Sequence, residues 1–117
     1  MTDHSLMKEI KAFIRPHQAD HVIDALEASP ESPGVTVSRV RGFGHPKGGG
    51  PATLTEQVKL EIVVPDADAE GVVDTIAEHA HTGRFGDGKI FVYDVADAVR
   101  IRTGERGEAA VQFPSDP

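Results

Sequence analysis

Two stretches of this chain follow one plan. Ile10, Ala12 and Ile14 alternate at the period of a strand, Pro16 follows, and Ala19, Val22, Ile23 and Leu26 then recur at the i, i+3, i+4, i+7 spacing of a helix face. Further on, the apolar run 58–64 reaches Pro65, and Ala69, Val72, Val73, Ile76 and Ala77 repeat the helical spacing. A proline has no N–H for a strand ladder, and its fixed φ suits the first turn of a helix. In both halves, therefore, the change from strand to helix is sharp. The cluster Ser-Pro-Glu-Ser-Pro-Gly over 29–34 ends the first helix, and the glycine-rich run 83–88 ends the second.

Strands are predicted over 8–15, 35–43, 58–64 and 89–95, with helices opening at Pro16 and Pro65. Strand, helix, strand, repeated once, predicts an α+β fold, a ferredoxin-like βαββαβ sandwich whose antiparallel sheet carries two helices on one face. Those helices leave the other face open. Phe13, Val63, Phe91 and Tyr93 fall on it by alternation, in company with Lys11, Glu61 and Lys89. A face so mixed favours self-association.

The richest chemistry lies between Thr82 and Glu105. Gly83, Gly86 and Gly88 let a backbone approach an anion, and Lys89, Arg100 and Arg102 add three cations within a short span. A polyphosphate cradle is expected, and with it a nucleotide. Gly83 to Lys89 also has the spacing of the phosphate loop of nucleotide triphosphatases, but two features argue against that identity. The run is followed by a strand rather than a helix, and Ile90 stands where a Ser or Thr would hold magnesium. No aligned carboxylate or histidine base and no Ser or Thr magnesium ligand stands beside the cradle, so a nucleotide hydrolase is not expected.

Composition narrows the partners. The net charge is −7, which disfavours nucleic acid. Of twelve basic residues, Arg39, Arg41, Lys47, Arg84, Lys89, Arg100 and Arg102 stand in or beside the glycine motifs, while the acids crowd the helices. A small anion suits that distribution. With no cysteine, disulfides, thiolate chemistry and cysteine-held metals are excluded. At 117 residues one domain is expected, burying roughly two-thirds of its unfolded surface. There is no apolar run of membrane-spanning length and the first residues lack the features of a signal peptide, so a cytoplasmic protein is expected.

Arg41-Gly-Phe-Gly-His-Pro-Lys-Gly48, Val58-Lys-Leu-Glu-Ile-Val-Val-Pro-Asp66, Thr82-Gly-Arg-Phe-Gly-Asp-Gly-Lys-Ile-Phe-Val-Tyr-Asp-Val-Ala96 and Arg100-Ile-Arg-Thr-Gly-Glu105 occur in this order. In these motifs the chain resembles the PII signal-transduction proteins (nitrogen regulatory protein P-II), from residue 7 to about 111. The resemblance implies a homotrimer that binds ATP or ADP, with magnesium accompanying ATP, in clefts between subunits, and that controls a target protein such as a membrane transporter. It implies that Thr36, Gly42, Phe43, Gly44, Glu61 and Val63 line the adenosine side. Gly86, Asp87, Gly88 and Lys89 would hold phosphates, and Arg100 and Arg102 would reach them from a neighbouring subunit. The domain is placed at 1–111, its interaction loop at 44–57, and a flexible tail at 112–117.

Departures from the family pattern carry their own expectations. The loop 44–57 is shorter than in typical members and holds no tyrosine, so uridylylation there is not expected. His45 and Pro46 replace the family's Arg and Gln, and Gln57 stands where a lysine would meet a 2-oxoglutarate carboxylate. Lys47 remains. Magnesium-linked 2-oxoglutarate sensing is therefore not expected. A metal-handling or bicarbonate-responsive trimer of the same fold is the alternative function. His17 and His21 have the i, i+4 spacing of metal ligands but no third ligand nearby in sequence, and a solvated surface role is expected. His79 and His81, ending the second helix, suit its dipole. No metal site is expected.

Overall fold

A computed structural model of the chain describes residues 6–45 and 48–112. Its elements run β1 (Met7–Ile14), a 3-10 turn (Pro16–Gln18), α1 (Ala19–Ala28), β2 (Thr36–Gly44), β3 (Thr53–Pro65), α2 (Asp66–Ala80), β4 (Gly88–Asp94) and a single helical turn, α3 (Glu108–Val111). The four strands form one antiparallel sheet in the order β2-β3-β1-β4, the ferredoxin-like arrangement. Pro16 starts the 3-10 turn, and α1 itself begins three residues later.

Alternation places Ile10, Ala12 and Ile14 beside Val58, Leu60, Ile62 and Val64 on one face, where all are buried. Val22 and Leu26 of α1 and Val72 and Ile76 of α2 close over them. Each such side chain, fully withdrawn from water, contributes roughly 1.5–3 kcal/mol. Both helices end or begin on local chemistry. The Ser29 hydroxyl donates to the Leu26 carbonyl (2.7 Å) at the end of α1. Asp66 and Asp68 stand in the first turn of α2, where its dipole favours negative charge.

Register defines the opposite face row by row. Thr36, Glu61, Lys11 and Phe91 are aligned across all four strands, and Ser38, Lys59, Phe13 and Lys89 form the next row. The predicted mixture of aromatic and charged residues on this face is what the structure contains: the Phe13 and Phe91 rings meet edge to face at 6.2 Å, and the Lys11 ammonium lies 5.2 Å from the Tyr93 ring centre.

Two expectations are corrected. Strand β3 begins at Thr53, five residues before the predicted Val58, and pairs with β2 as far as Gly44↔Thr53. The connection between β2 and β3 is thus 45–52, not 44–57, and Gln57 is a strand residue. Thr53–Glu56 are exposed, so this ribbon has no buried side to impose an apolar alternation. At the other end, Glu108–Val111 form a helical turn that was not among the predicted elements. Pro46 and Lys47, and the tail beyond Gln112, lie outside the described residues.

Candidate functional site

The turn that joins α2 to β4 is held by one carboxylate. Asp87 accepts from the backbone amides of Thr82 (2.8 Å) and Gly83 (2.9 Å), from the Thr82 hydroxyl, and from Arg15 Nε at 2.9 Å. Arg15 also donates to the Phe85 carbonyl at 2.5 Å. The Thr82 hydroxyl and the Arg15 guanidinium, with the two amides, hold the Asp87 carboxyl well below the usual carboxylate range. Asp87 was expected among the phosphate ligands. Its side chain is engaged within the turn and ties the loop to the end of β1.

Gly88 could be no other residue. Its φ is 107°, and a Cβ there would stand 1.7 Å from the Phe13 carbonyl oxygen, because the first residue of β4 is pressed against β1 in the ladder pair Ile14↔Gly88. Gly86, at φ 98°, turns the chain just before it.

Beside this turn lies a cleft of about 600 Å³ lined by Phe13, Gly44, His45, Gln57, the segment 84–89 and Phe91. The structure thus brings together Gly44, Gly86, Asp87, Gly88 and Lys89, which are separated in sequence by a whole βα unit. Gly42 and Phe43 line an adjoining hollow with Arg15. The Lys89 ammonium and the Arg84 guanidinium have no hydrogen bond or ion pair among the described residues, so both are available to a ligand. Arg15, Thr82 and Arg84 were not foreseen as parts of the site. Only Arg15 sitting at a strand end beside the turn connects it to Asp87, and that is a tertiary fact.

The remaining predicted residues lie elsewhere. Val63 lines a second cavity, of about 310 Å³, with Gly34, Asp68 and Ala110. Thr36 is paired with Glu61 across the β2–β3 ladder. The Glu61 carboxylate lies 3.6 Å from Lys59 Nζ and 4.0 Å from Lys11 Nζ. Val63 is opposite Glu9 and Lys59 is opposite Phe13, so four residues of strand, roughly 13 Å, separate this end of the face from the row of Lys89.

The arginine pair divides. Arg100 and Glu105 close a turn through Arg100 N to Glu105 O (2.8 Å), and the Arg100 guanidinium donates to the carbonyls of Ala109 (3.0 Å), Ala110 (3.3 Å) and Gln112. In this conformation it caps α3. Arg102 is exposed and has no partner among the described residues. Ile101, between them, is 96% exposed.

A glycine turn between a helix and an edge strand, beside a cleft on a ferredoxin-like sheet with one uncovered face, is the frame of this domain. The family model for Nitrogen regulatory protein P-II matches residues 7–105. Nitrogen regulatory protein P-II 1 of Escherichia coli (strain K12) is 48% identical over 113 residues, covering 90% of this chain and 100% of that protein. Nitrogen regulatory protein P-II of Haemophilus influenzae is 45% identical over the same span. Among solved structures, Arabidopsis thaliana PII bound to citrate superposes with a TM-score of 0.80 at 43% identity, covering 97% of each chain. The B. subtilis GlnK–ATP complex superposes with a TM-score of 0.79 at 33% identity, covering 92% of this chain and 99% of that one. The chain belongs to the PII family of nitrogen-regulatory signal-transduction proteins, which are regulators and not enzymes.

Proposed function

We propose that this protein senses adenine nucleotides, ATP or ADP, as a homotrimer and reports their balance to a target protein of nitrogen or carbon metabolism, such as a membrane transporter. The observation that carries this reading is the cleft over Gly86–Lys89. It combines a preorganised glycine turn, and the Lys89 and Arg84 side chains, which have no partner among the described residues, with the aromatic side chains Phe13 and Phe91. Cations and exposed amides suit phosphates, and aromatic faces suit a base or a neighbouring subunit. The complex of the B. subtilis relative with ATP supports the ligand.

The separation of the two ends of the sheet face supports the assembly. Val63 at one end and Lys89 at the other, roughly 13 Å apart along the strands, would serve one site where two chains meet head to tail. A heterologous contact of that kind closes into a ring when its rotation allows. Arg102, exposed and without a partner among the described residues, is the cation such a neighbour would receive. The partly apolar face around Phe91 and Tyr93 supplies the surface to be buried.

ATP and ADP share such a cleft but differ at the terminal phosphate, which lies toward the β2–β3 connection. Differential contact there shifts the population of connection conformers, and a target that touches 45–52 reads the shift. Equilibrium titration of the chain with ATP and with ADP, combined with sedimentation, tests the reading. Saturable binding of both nucleotides by a trimer is expected, and a stable monomer without nucleotide affinity would overturn it.

A further inference from the structure

Between the two helices, at the end of α2 that leads into the glycine turn, two imidazoles meet. The rings of His21 in α1 and His79 in α2 are centred 4.9 Å apart and inclined at 58°. His79 Nδ1 lies 2.8 Å from the Thr75 carbonyl oxygen. A carbonyl only accepts, so Nδ1 carries the proton, and in the neutral ring Nε2 holds the free lone pair. A histidine whose other ring nitrogen donates to a backbone carbonyl is the usual arrangement behind a metal-bound imidazole, because it fixes the tautomer and raises ligand basicity. The backbone is fixed as well. Gln18 Nε2 donates to the His79 carbonyl at 3.1 Å and pins the end of α2 against the start of α1.

Spacing agrees with a shared ion. With metal–nitrogen bonds of about 2.1 Å, each ring centre stands roughly 3.2 Å from the metal, and two rings at a tetrahedral angle are then roughly 5 Å apart. His17 lies on the 3-10 turn that runs into α1, four residues before His21, and both are exposed. Among the described residues no three His, Cys, Asp or Glu side chains already stand in a metal-binding group, so the third histidine must turn toward the pair. Helix α2 thus brings a second imidazole, His79, beside His21.

We infer that His21 and His79, joined by His17, form a binding site for a divalent transition-metal ion of imidazole preference, such as zinc, that bridges α1 and α2. The remaining position is left to water. Oxygen-preferring magnesium and calcium do not suit a site of neutral imidazoles. An ion held there clamps the two helices together.

Calorimetric titration of the untagged, full-length protein with zinc chloride in a buffer that does not chelate metals tests the site. One ion per chain at micromolar affinity is expected, together with a rise in melting temperature. His21→Ala and His79→Ala should each weaken zinc binding at least tenfold and abolish the thermal shift, His17→Ala should weaken it severalfold, and His81→Ala should leave zinc affinity unchanged. His21→Ala alters an exposed helix position and keeps the test valid if His79→Ala fails to fold. Absence of zinc binding, binding undiminished in His21→Ala, or an equal loss in His81→Ala would overturn the site. Undiminished affinity in His17→Ala would overturn its three-histidine form.

Discussion

Arg15 Nε donates to Asp87 Oδ1 at 2.9 Å, joining residues 72 positions apart. Through this one contact the end of the first strand holds the conformation of the glycine turn. The same guanidinium takes the Phe85 carbonyl, so the turn is gripped by a side chain and by its own backbone. A loop gripped in this way offers its amides to an anion with little ordering still to be done on binding.

Removal of that grip should therefore affect binding more than folding. The ion pair is partly solvent-exposed, with about a quarter of each side chain accessible, and its net worth to stability is about 1 kcal/mol or less. Arg15→Ala is expected to lower the melting temperature only slightly, to accelerate amide exchange across 82–88, and to weaken ATP and ADP roughly tenfold. Hydrogen exchange and calorimetry on one preparation check this. An unchanged exchange rate in the turn would show that Thr82 and Gly83 hold Asp87 unaided.

Asp87 gives a pH dependence whose sign is determined. Its folded carboxyl titrates below its unfolded value, so the stability it contributes is present above about pH 4 and is lost as pH falls toward the depressed folded value. Asp87→Asn should make the protein less stable at pH 7. It should also flatten the acid limb of the stability curve below pH 4. Denaturant midpoints at pH 3, 4 and 7 for both chains check it, and parallel acid limbs would count against the assignment.

Gly88 makes the steric case. A side chain there must adopt φ 107° and displace the Phe13 carbonyl from the ladder. The backbone conformation alone costs about 1–3 kcal/mol in a residue with a Cβ, and the displaced strand pair adds to it. Gly88→Ala is expected to lower the melting temperature by roughly 10 °C and to abolish nucleotide binding. Gly48, at φ 86° with nothing within 4 Å of its Cβ position, provides the contrast: Gly48→Ala should cost only the conformational strain.

What could be read from the chain and what could not divides along these same residues. Ile10, Ala12, Ile14, Val22 and Leu26 announce strand and helix because each must face the core, and burial enforces a period. Thr53–Glu56 continue β3 as a ribbon exposed on both sides, so no apolar alternation marks them, and only the β-branched Thr53 and Thr55 hinted at a strand. Gly86, Gly88 and Lys89 showed an anion loop because their types are local requirements. That Asp87 ties the loop depended on Arg15, and that His21 has a companion depended on His79. Neither partner is near in sequence.

The cations of the cleft should separate by role. Lys89 and Arg102 have no other partner among the described residues, so Lys89→Ala and Arg102→Ala should each lose a charge-assisted contact worth roughly 1.5–3 kcal/mol, about ten- to a hundredfold in nucleotide affinity, with little change in stability. Arg100 also caps α3 through the carbonyls of Ala109 and Ala110. Arg100→Ala should therefore lower affinity and also loosen the C-terminal turn. Melting curves beside ADP titrations distinguish the two, and unchanged ADP affinity in both Lys89→Ala and Arg102→Ala would remove the cleft as the nucleotide site.

The second effector of the family is where this chain is expected to depart. Binding of 2-oxoglutarate in the family manner requires a magnesium ion held jointly by ATP phosphates and a loop glutamine, with a lysine for the distal carboxylate. Pro46 has no side-chain amide to offer. Gln57, in β3, lines the cleft and folds over Gly42, with its Oε1 2.7 Å from the position a Cβ on Gly42 would take. A neutral amide in that place can donate to a carboxylate but brings no positive charge to compensate it on leaving water. Saturating ATP and magnesium are therefore expected to create no 2-oxoglutarate site, and Gln57→Lys alone should not restore one, because the magnesium ligand is also missing. Calorimetry of the ATP-loaded protein with 2-oxoglutarate, and then with bicarbonate as a smaller anion for Lys47 and His45, checks this. Micromolar 2-oxoglutarate affinity in the unaltered chain would return it to the ordinary carbon–nitrogen sensors of the family.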